Sequence, residues 1–552
     1  MVEKNEVLKI AGLARGFVST EELSNTMTLL IYEVLNERKA LQRPLSWHQE
    51  FSDSLKRFSS KGTDQIKKEL EKYSNEDLVD IAFYFVSNPL GSRFVESSNY
   101  SLNRLVLSLL KIRSGDLVFD LGSGNGSFLV NLQRYCNEHK IELKDMFGLE
   151  INKQAVEVSR ANLLIAGAKS INIDLRDFID GVPPMYNKGF VFPPLGDRVL
   201  DHEKIKSQNF DYTFNRRNSF EWVFVDRLLK GLIGRDRRAV AIMSPRSMFN
   251  DADKGYRDHL IDAGLIEMIV ELPAGSLNFT SIKPVLVVFS DGNEGAKVVD
   301  ATSLEDKAIG KFAKYELEYN KVLELISGAD IISNDELKKS HSLSASTLLA
   351  AKEQVLTGTP LCELAEVFTG SQYTLRNFEQ MFKNEPTGYK VLTPGDVQDG
   401  FIEWDKLQSI EYKDKKFDKY AVIKGDVIIT AKTSKVKIAV VDIDPEEKIL
   451  VTGGMIIVRP NTKKLNPTYL KIFLDSAKGQ AALKSIQRGS IIISINAKDL
   501  ASVLIPDIDI KNQDSISLKY NDMLYSYINL KKELARLEDQ IHSFDMCEAK
   551  EG

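Results

Sequence analysis

Between Asp116 and about Ser290 the sequence alternates short apolar runs with stretches of helical period, and nothing else in it constrains the fold as much. Such alternation predicts a mostly parallel sheet with helices on both faces. Ligands of these sheets sit beyond the carboxyl ends of the strands, so the turns there matter most. The first of them follows Leu117-Val-Phe-Asp120-Leu and reads Gly122-Ser-Gly124-Asn-Gly126, before a helix start. Glycines adopt positive φ and let the backbone approach a ligand, which suits a nucleotide-type cofactor. On this stretch alone, a purely structural turn and a dinucleotide site stay open.

The next strands narrow the choice. Met146-Phe-Gly-Leu-Glu150 ends in an acid placed to accept hydrogen bonds from ribose hydroxyls. GSGNG lacks the third glycine of the dinucleotide pattern GxGxxG at its required place. After a third strand, Ile171-Asn-Ile, the run Asp174-Leu-Arg-Asp177-Phe178 offers a carboxylate to an adenine amine and a ring to its face. A helix N-cap is the other reading of Asp177.

A chain of 552 residues is too long for one ordinary domain. Residues 1–90 place apolar side chains at three- and four-residue spacing and predict a helical N-terminal domain. The sheet pattern fills residues 91–300, and a charged, helical connector is expected over 301–355. From 356 to 510 short strands and turns, such as IKGDVIITAK and VTGGMIIVRP, predict an α+β domain. Residues 511–544 then carry Ile516, Met523, Tyr527, Leu530, Leu534, Leu537 and Ile541 at sevens, fours and threes, the seam of a long amphipathic helix. The fold class is thus multidomain α/β.

Composition excludes more than it identifies. The three cysteines, Cys136, Cys362 and Cys547, lie far apart without metal-ligand spacing, so no metal site and no disulfide framework are expected. No apolar run reaches the ~18–20 residues a membrane helix needs. The N-terminus reads as no secretory signal, and a cytoplasmic location is expected. A net charge of −5 is no global signature of nucleic-acid binding. Locally, Lys413, Lys415, Lys416, Lys419, Lys424, Lys432, Lys435 and Lys437 crowd into one stretch that is either a phosphate-binding or a solvated face.

DLGSGNGSFLV, FGLEINKQAVEVSRANLLIAG and DLRDF, in that order, resemble motifs I to III of the methyltransferase (M) subunits of type I restriction-modification systems. The resemblance continues through EWVFVDRLLKGLIGRDRRAVAIMSPRSMFNDADKGYRDHLIDAGLIEMIVELPAG and covers about residues 95–290. It implies a Rossmann-like, class-I DNA adenine methyltransferase domain using S-adenosyl-L-methionine. Asp120 and Gly122, Gly124 and Gly126 would hold the methionine part, Glu150 the ribose, and Asp177 with Phe178 the adenine. The family's catalytic motif is Asn-Pro-Pro-Phe/Tyr, whereas this chain has Phe192-Pro193-Pro194-Leu195 at the equivalent place. In the family, the Asn carbonyl and the first proline's backbone carbonyl accept from the flipped adenine's amine, and the aromatic ring stacks on the base. Phe192 has no acceptor and Leu195 no flat face. Losing such a polar contact typically costs on the order of 10²–10³ in rate, so weak or absent methyl transfer is expected. Asn187, Asn209 and Asn215 are nearby amides that could substitute.

Leu361 to Gly370, Tyr389 to Gly400, Lys424 to Thr430, Asn466 to Leu470, Arg488-Gly489-Ser490 and Leu504-Ile-Pro506 resemble, in family order, a target-recognition domain of a type I specificity (S) subunit. That implies double-stranded DNA as partner, with Lys432, Lys435, Lys437 and Arg488 on the DNA face. One recognition domain and one long helix, where an S subunit has two of each, imply a homodimer through that helix and an inverted-repeat target. A helix packed on the N-terminal domain is the competing arrangement, and a restriction or motor subunit is a further partner. Two functions follow: an M–S fusion that methylates adenine at N6, or an inactive pseudo-methyltransferase serving a defence system as its DNA-recognition or regulatory subunit.

Overall fold

The computed structural model describes residues 4–542 except 15–16, 20–21, 42–46, 56–59, 88–97, 182, 200, 278–279, 281, 305–316, 353–356, 372–374, 413–417, 419, 434–435 and 488–492. The chain divides into two compact units, Met1–Leu348 and Leu349–Gly552.

The first unit opens with helices α1 (Lys4–Leu13), α2 (Leu23–Glu37), α3 (His48–Leu55), α4 (Ser60–Leu70) and α5 (Asn75–Ser87). Apolar residues at 27, 30, 31, 34 and 35 make α2 the central helix, buried on nearly every side. Its Thr28 hydroxyl donates to Asn162 Oδ1 at 3.0 Å, on a helix of the sheet that follows. The helical layer therefore shares its core with that sheet, taking in Ala161, Leu164 and Ile165.

After α6 (Tyr100–Leu110) come β1 (Leu117–Leu121), α7 (Ser127–His139), β2 (Asp145–Glu150), α8 (Lys153–Ile165), β3 (Asn172–Leu175), β4 (Lys188–Val191), α9 (His202–Lys206), α10 (Phe220–Lys230), β5 (Arg238–Met243), α11 (Pro245–Phe249), α12 (Lys254–Asp262), β6 (Ile266–Glu271), β7 (Val285–Phe289) and β8 (Gly295–Asp300). With β9 (Ile331–Ser333) they form one nine-stranded sheet ordered β3-β2-β1-β4-β5-β7-β6-β8-β9. The first five run parallel, and β7 is antiparallel to both neighbours. Every residue of β5 and β7 is buried, which is why β7, and β5 after Arg238, read as apolar runs without alternation. Chain order reverses between β1 and β4, where a doubly wound sheet opens its ligand crevice.

The stretch read as a helical connector also completes this sheet. β9 pairs antiparallel with β8, and α13 (Tyr319–Gly328) buries Val322 and Ile326 in the sheet's core. A three-residue edge strand is too short to show a period of two in sequence.

In the second unit Ala365–Thr369, Met455–Pro460, Val427–Thr430 and Ile438–Val440 form an antiparallel sheet in that order. A second four-stranded sheet orders Phe382–Lys383, Gln408–Ile410, Tyr389–Leu392 and Lys448–Val451. Helices Pro467–Asp475 and Ala477–Ser485 bury Leu470, Leu474 and Leu483 against Val427, Ile429 and Val458 of the first sheet. The C-terminal helix, Ile510–His542, is pinned at its start by Gln513. Its Nε2 donates to Ile508 O at 2.7 Å and Lys464 O at 3.2 Å, and its Oε1 accepts from Asn466 N at 2.8 Å. Farther along, Met523, Tyr527, Leu530, Leu534, Leu537 and Ile541 are all exposed. No described helix is long and apolar enough to cross a membrane, and no described group of three His, Cys, Asp or Glu could hold a metal ion.

Candidate functional site

The carboxyl ends of β1 to β5 bring together most of the residues singled out in the sheet domain. Gly122, Gly124 and Gly126 have φ of +82°, +51° and +81°. The turn is laced to β2, because the Gly122 and Ser123 N–H groups both donate to Leu149 O, at 2.8 and 2.9 Å. Gly126 caps α7, and a Cβ there would stand 2.5 Å from Ser159 Oγ on α8. Close helix packing, sought in the sequence from a third glycine of GxGxxG, is thus provided by Gly126.

Glu150 ends β2 beside this turn. Its Oε2 accepts from Gly124 N at 2.9 Å, and its Oε1 from Ile151 N and Asn152 N at 2.9 and 2.8 Å. Each carboxylate oxygen carries two lone pairs, so Oε2 retains acceptor capacity for a ligand hydroxyl. Asp120 is buried below the turn, and burial first, then nearby Glu150, pushes its carboxyl well above the usual range. A neutral acid at that place can donate as well as accept.

Past β3, Asp177 divides its oxygens. Oδ1 accepts from Ile179 N at 3.0 Å, the local turn contact, while Oδ2 accepts from the Lys204 ammonium at 2.6 Å. Lys204, on α9, also reaches Asp180 at 3.1 Å. Phe178 stacks on Phe224 with ring centroids 3.8 Å apart, and Phe220 lies 5.7 Å away. Phe220 and Phe224 went unnoticed in the sequence, although their i, i+4 spacing on α10 marks them as one face.

The loop after β4 holds Phe192, Pro193, Pro194 and Leu195. Phe192 is buried in the apolar core that contains Phe128, Phe190, Val240 and Ile242, and Leu195 packs against the same core. Pro193 is buried and Pro194 exposed. Directly behind this loop sits Glu221, also missed in sequence. Its side chain is fully buried, and Oε1 accepts from Gly196 N at 3.2 Å and Ser244 N at 3.1 Å. Burial pushes its carboxyl up to about 7 against the pull of the Ser244 hydroxyl and those N–H groups.

The three asparagines weighed as substitutes lie elsewhere or are exposed. Asn187 works at the opposite end of the sheet, accepting from Leu117 N at 2.7 Å and donating to Asp116 Oδ1 at 2.6 Å. Asn215 accepts from Arg217 N within its own turn, and Asn209 is exposed. In the second unit, Lys437 Nζ donates to Pro394 O and Gln398 Oε1 at 3.3 and 3.2 Å. Lys413, Lys415, Lys416, Lys419, Lys435 and Arg488 lie outside the described residues, as does the side chain of Lys432.

Residues 99–309 match the family model described as N-6 DNA Methylase. The glycine turn, Glu150, Asp177 and the 192–196 loop all fall inside the part of the chain that is similar to this family. EEF1A lysine methyltransferase 2 of Danio rerio is 32% identical over 125 residues, 22% of this chain and 45% of that protein. The match therefore spans under half the length of that relative. Among solved structures, a type I restriction-modification methyltransferase subunit from Streptococcus thermophilus is similar over 61% of this chain and 96% of its own, with 13% identity and a TM-score of 0.48. The type IIG restriction endonuclease BpuSI is similar over 93% of this chain and 74% of its own, with 12% identity and a TM-score of 0.47.

Proposed function

We propose that the first unit binds S-adenosyl-L-methionine and that the chain is a DNA adenine N6-methyltransferase of restriction-modification type joined to a DNA-specificity domain, residues 356–510. The observation that carries the cofactor reading is the bond from Gly124 N–H to Glu150 Oε2, which sets a ribose-directed carboxylate beside an open, positive-φ glycine turn. Asp120 and the glycines hold the methionine part. Phe178, backed by Phe224, offers a flat apolar wall to the adenine, and Asp177 its amine acceptor. Double-stranded DNA is the substrate, read by the second unit with Lys432, Lys435, Lys437 and Arg488, in the cytoplasm.

One observation favours a second reading. The side chain of Phe192 is spent on the core and presents no acceptor to an extruded base, so an inactive methyltransferase that recognises DNA for a partner restriction or motor subunit accounts for the loop as well. Calorimetric titration with S-adenosyl-L-methionine, run beside tritiated methyl incorporation into DNA from a host lacking the gene, separates the two. Binding with incorporation at ordinary rates supports the enzyme, and binding without incorporation supports the pseudo-enzyme. Absence of binding removes the cofactor reading. In the second case, Phe192→Asn with Leu195→Phe is expected to raise incorporation by roughly 10²-fold or more, the size of one transition-state contact.

A further inference from the structure

The loop of residues 192–196 is held from two sides. At its start Phe192 is sunk in the core, and at its end Gly196, with φ of +82°, turns its N–H onto Glu221. The same Glu221 oxygen accepts from Ser244 N, the first residue after β5. One carboxylate oxygen therefore bridges the loop that ends β4 to the end of the neighbouring strand. The other oxygen, Oε2, is buried, and the Ser244 hydroxyl is buried beside the carboxyl. That hydroxyl can donate to an ionised carboxylate or accept from a protonated one. We propose that Glu221 is a positioning residue that tethers the 192–196 loop to the end of β5 and thereby sets the opening of the substrate side of the site. Describing that side as the substrate side rests on the methyltransferase reading; the tether itself does not.

The tether is sensitive to charge. The nearby Asp253 is of like sign to Glu221 and opposes its ionisation. Ionising Glu221 in place is costly, and swinging the loop away so that water reaches the carboxylate relieves the cost. Loop opening is therefore favoured as pH rises towards about 7, by up to about tenfold per pH unit for one proton released, and levels off above it, where the carboxyl is ionised in either position.

Hydrogen–deuterium exchange of the full chain, corrected for intrinsic rates and read on peptides covering 192–198 and 241–247 between about pH 5 and 8.5, tests this. The wild type is expected to lose protection at Gly196 progressively up to about pH 7 and to level off above it. Glu221→Gln, which keeps an acceptor for both N–H groups, is expected to keep protection at pH 8. Glu221→Ala is expected to lose it tenfold or more even at pH 6. A peptide from β1 serves as the folding control, and if Glu221→Ala unfolds there, the Glu221→Gln profile decides. Equal protection of folded Glu221→Ala and wild type at pH 6, or the same pH profile for wild type and Glu221→Gln, overturns the tether. Neither cofactor nor DNA is present in this measurement, so failure of the cofactor titration leaves its outcome intact.

Discussion

At the scale of single residues, the glycine turn is governed by two different demands. Gly124 has nothing within 4 Å of a notional Cβ, whereas Gly126 meets Ser159 at 2.5 Å. Gly126→Ala is therefore expected to destabilise the first unit by about 1–3 kcal/mol, through both left-handed strain and overpacking. A chemical-denaturation midpoint indistinguishable from wild type would show that α8 moves aside freely. Glu150→Ala with Gly124→Leu is expected to weaken S-adenosyl-L-methionine binding at least tenfold by calorimetry, and unchanged affinity would remove Glu150 from the ribose. Titration adds a third expectation. Glu221 and Asp226, both raised by burial, reach about 7 and about 6 from ordinary values of 4.5 and 3.8. The folded state thus holds protons that the unfolded chain has released. The stability they contribute is fully present below the unfolded values and is lost as pH rises through about 6 and 7. For Glu221 the loss approaches ~3 kcal/mol. Glu221→Gln should flatten the fall in unfolding free energy between about pH 4.5 and 7, and an equally steep profile there would assign the effect to other groups.

At the scale of elements, two motifs that look functional in sequence hold structure together. Asp426 of Lys424-Gly425-Asp426 is fully buried and takes a forked contact from Arg459, with Nε and one terminal nitrogen each 2.8 Å from a carboxylate oxygen. It joins the strand Val427–Thr430 to the neighbouring Met455–Pro460. Asp426→Ala takes the carboxylate from Arg459, which keeps its contact with Ala421 O at 3.2 Å, and is expected to cost the second unit ~3 kcal/mol, read as a lower melting transition of that unit. Asp396 similarly accepts from Thr393 N and Oγ1, both at 2.8 Å, closing a turn. α10 works the other way. It reads as an ordinary amphipathic helix, yet it supplies Glu221 behind the loop, Phe224 against Phe178, and the buried Asp226 and Arg227.

Over the whole molecule, the expectation of pairing rests on the C-terminal helix. Leu530 and Ile541 are 68% and 71% exposed, and burying such side chains is worth roughly 1.5–3 kcal/mol each before ordering costs. A homodimer through this stripe should give twice the monomer mass in light scattering, and Leu530→Glu with Leu537→Glu should abolish it. A monomer mass with and without DNA excludes the homodimer. Charge reversal at Lys432 and Lys435 should weaken DNA binding and lower the log–log salt slope by about 0.9 for each lost phosphate contact. An unaltered slope means these lysines face solvent.

Local pattern determined much of this protein. Strand-turn-helix alternation, the positive-φ glycines and the acid closing β2 are set by near neighbours in the chain, and all are legible at Leu117–Glu150. The FPPL sequence likewise declared its missing acceptor. What tertiary structure alone decided are pairings across long separations. The Lys204 ammonium on Asp177 is one, the Glu221 bridge between Gly196 and Ser244 another, and β9 on the sheet's far edge a third. The direction of the Phe192 side chain belongs with them. A ring after a strand can turn into a ligand pocket or into the core, and only the packing of Phe128, Phe190 and Val240 around it made burial the favourable outcome.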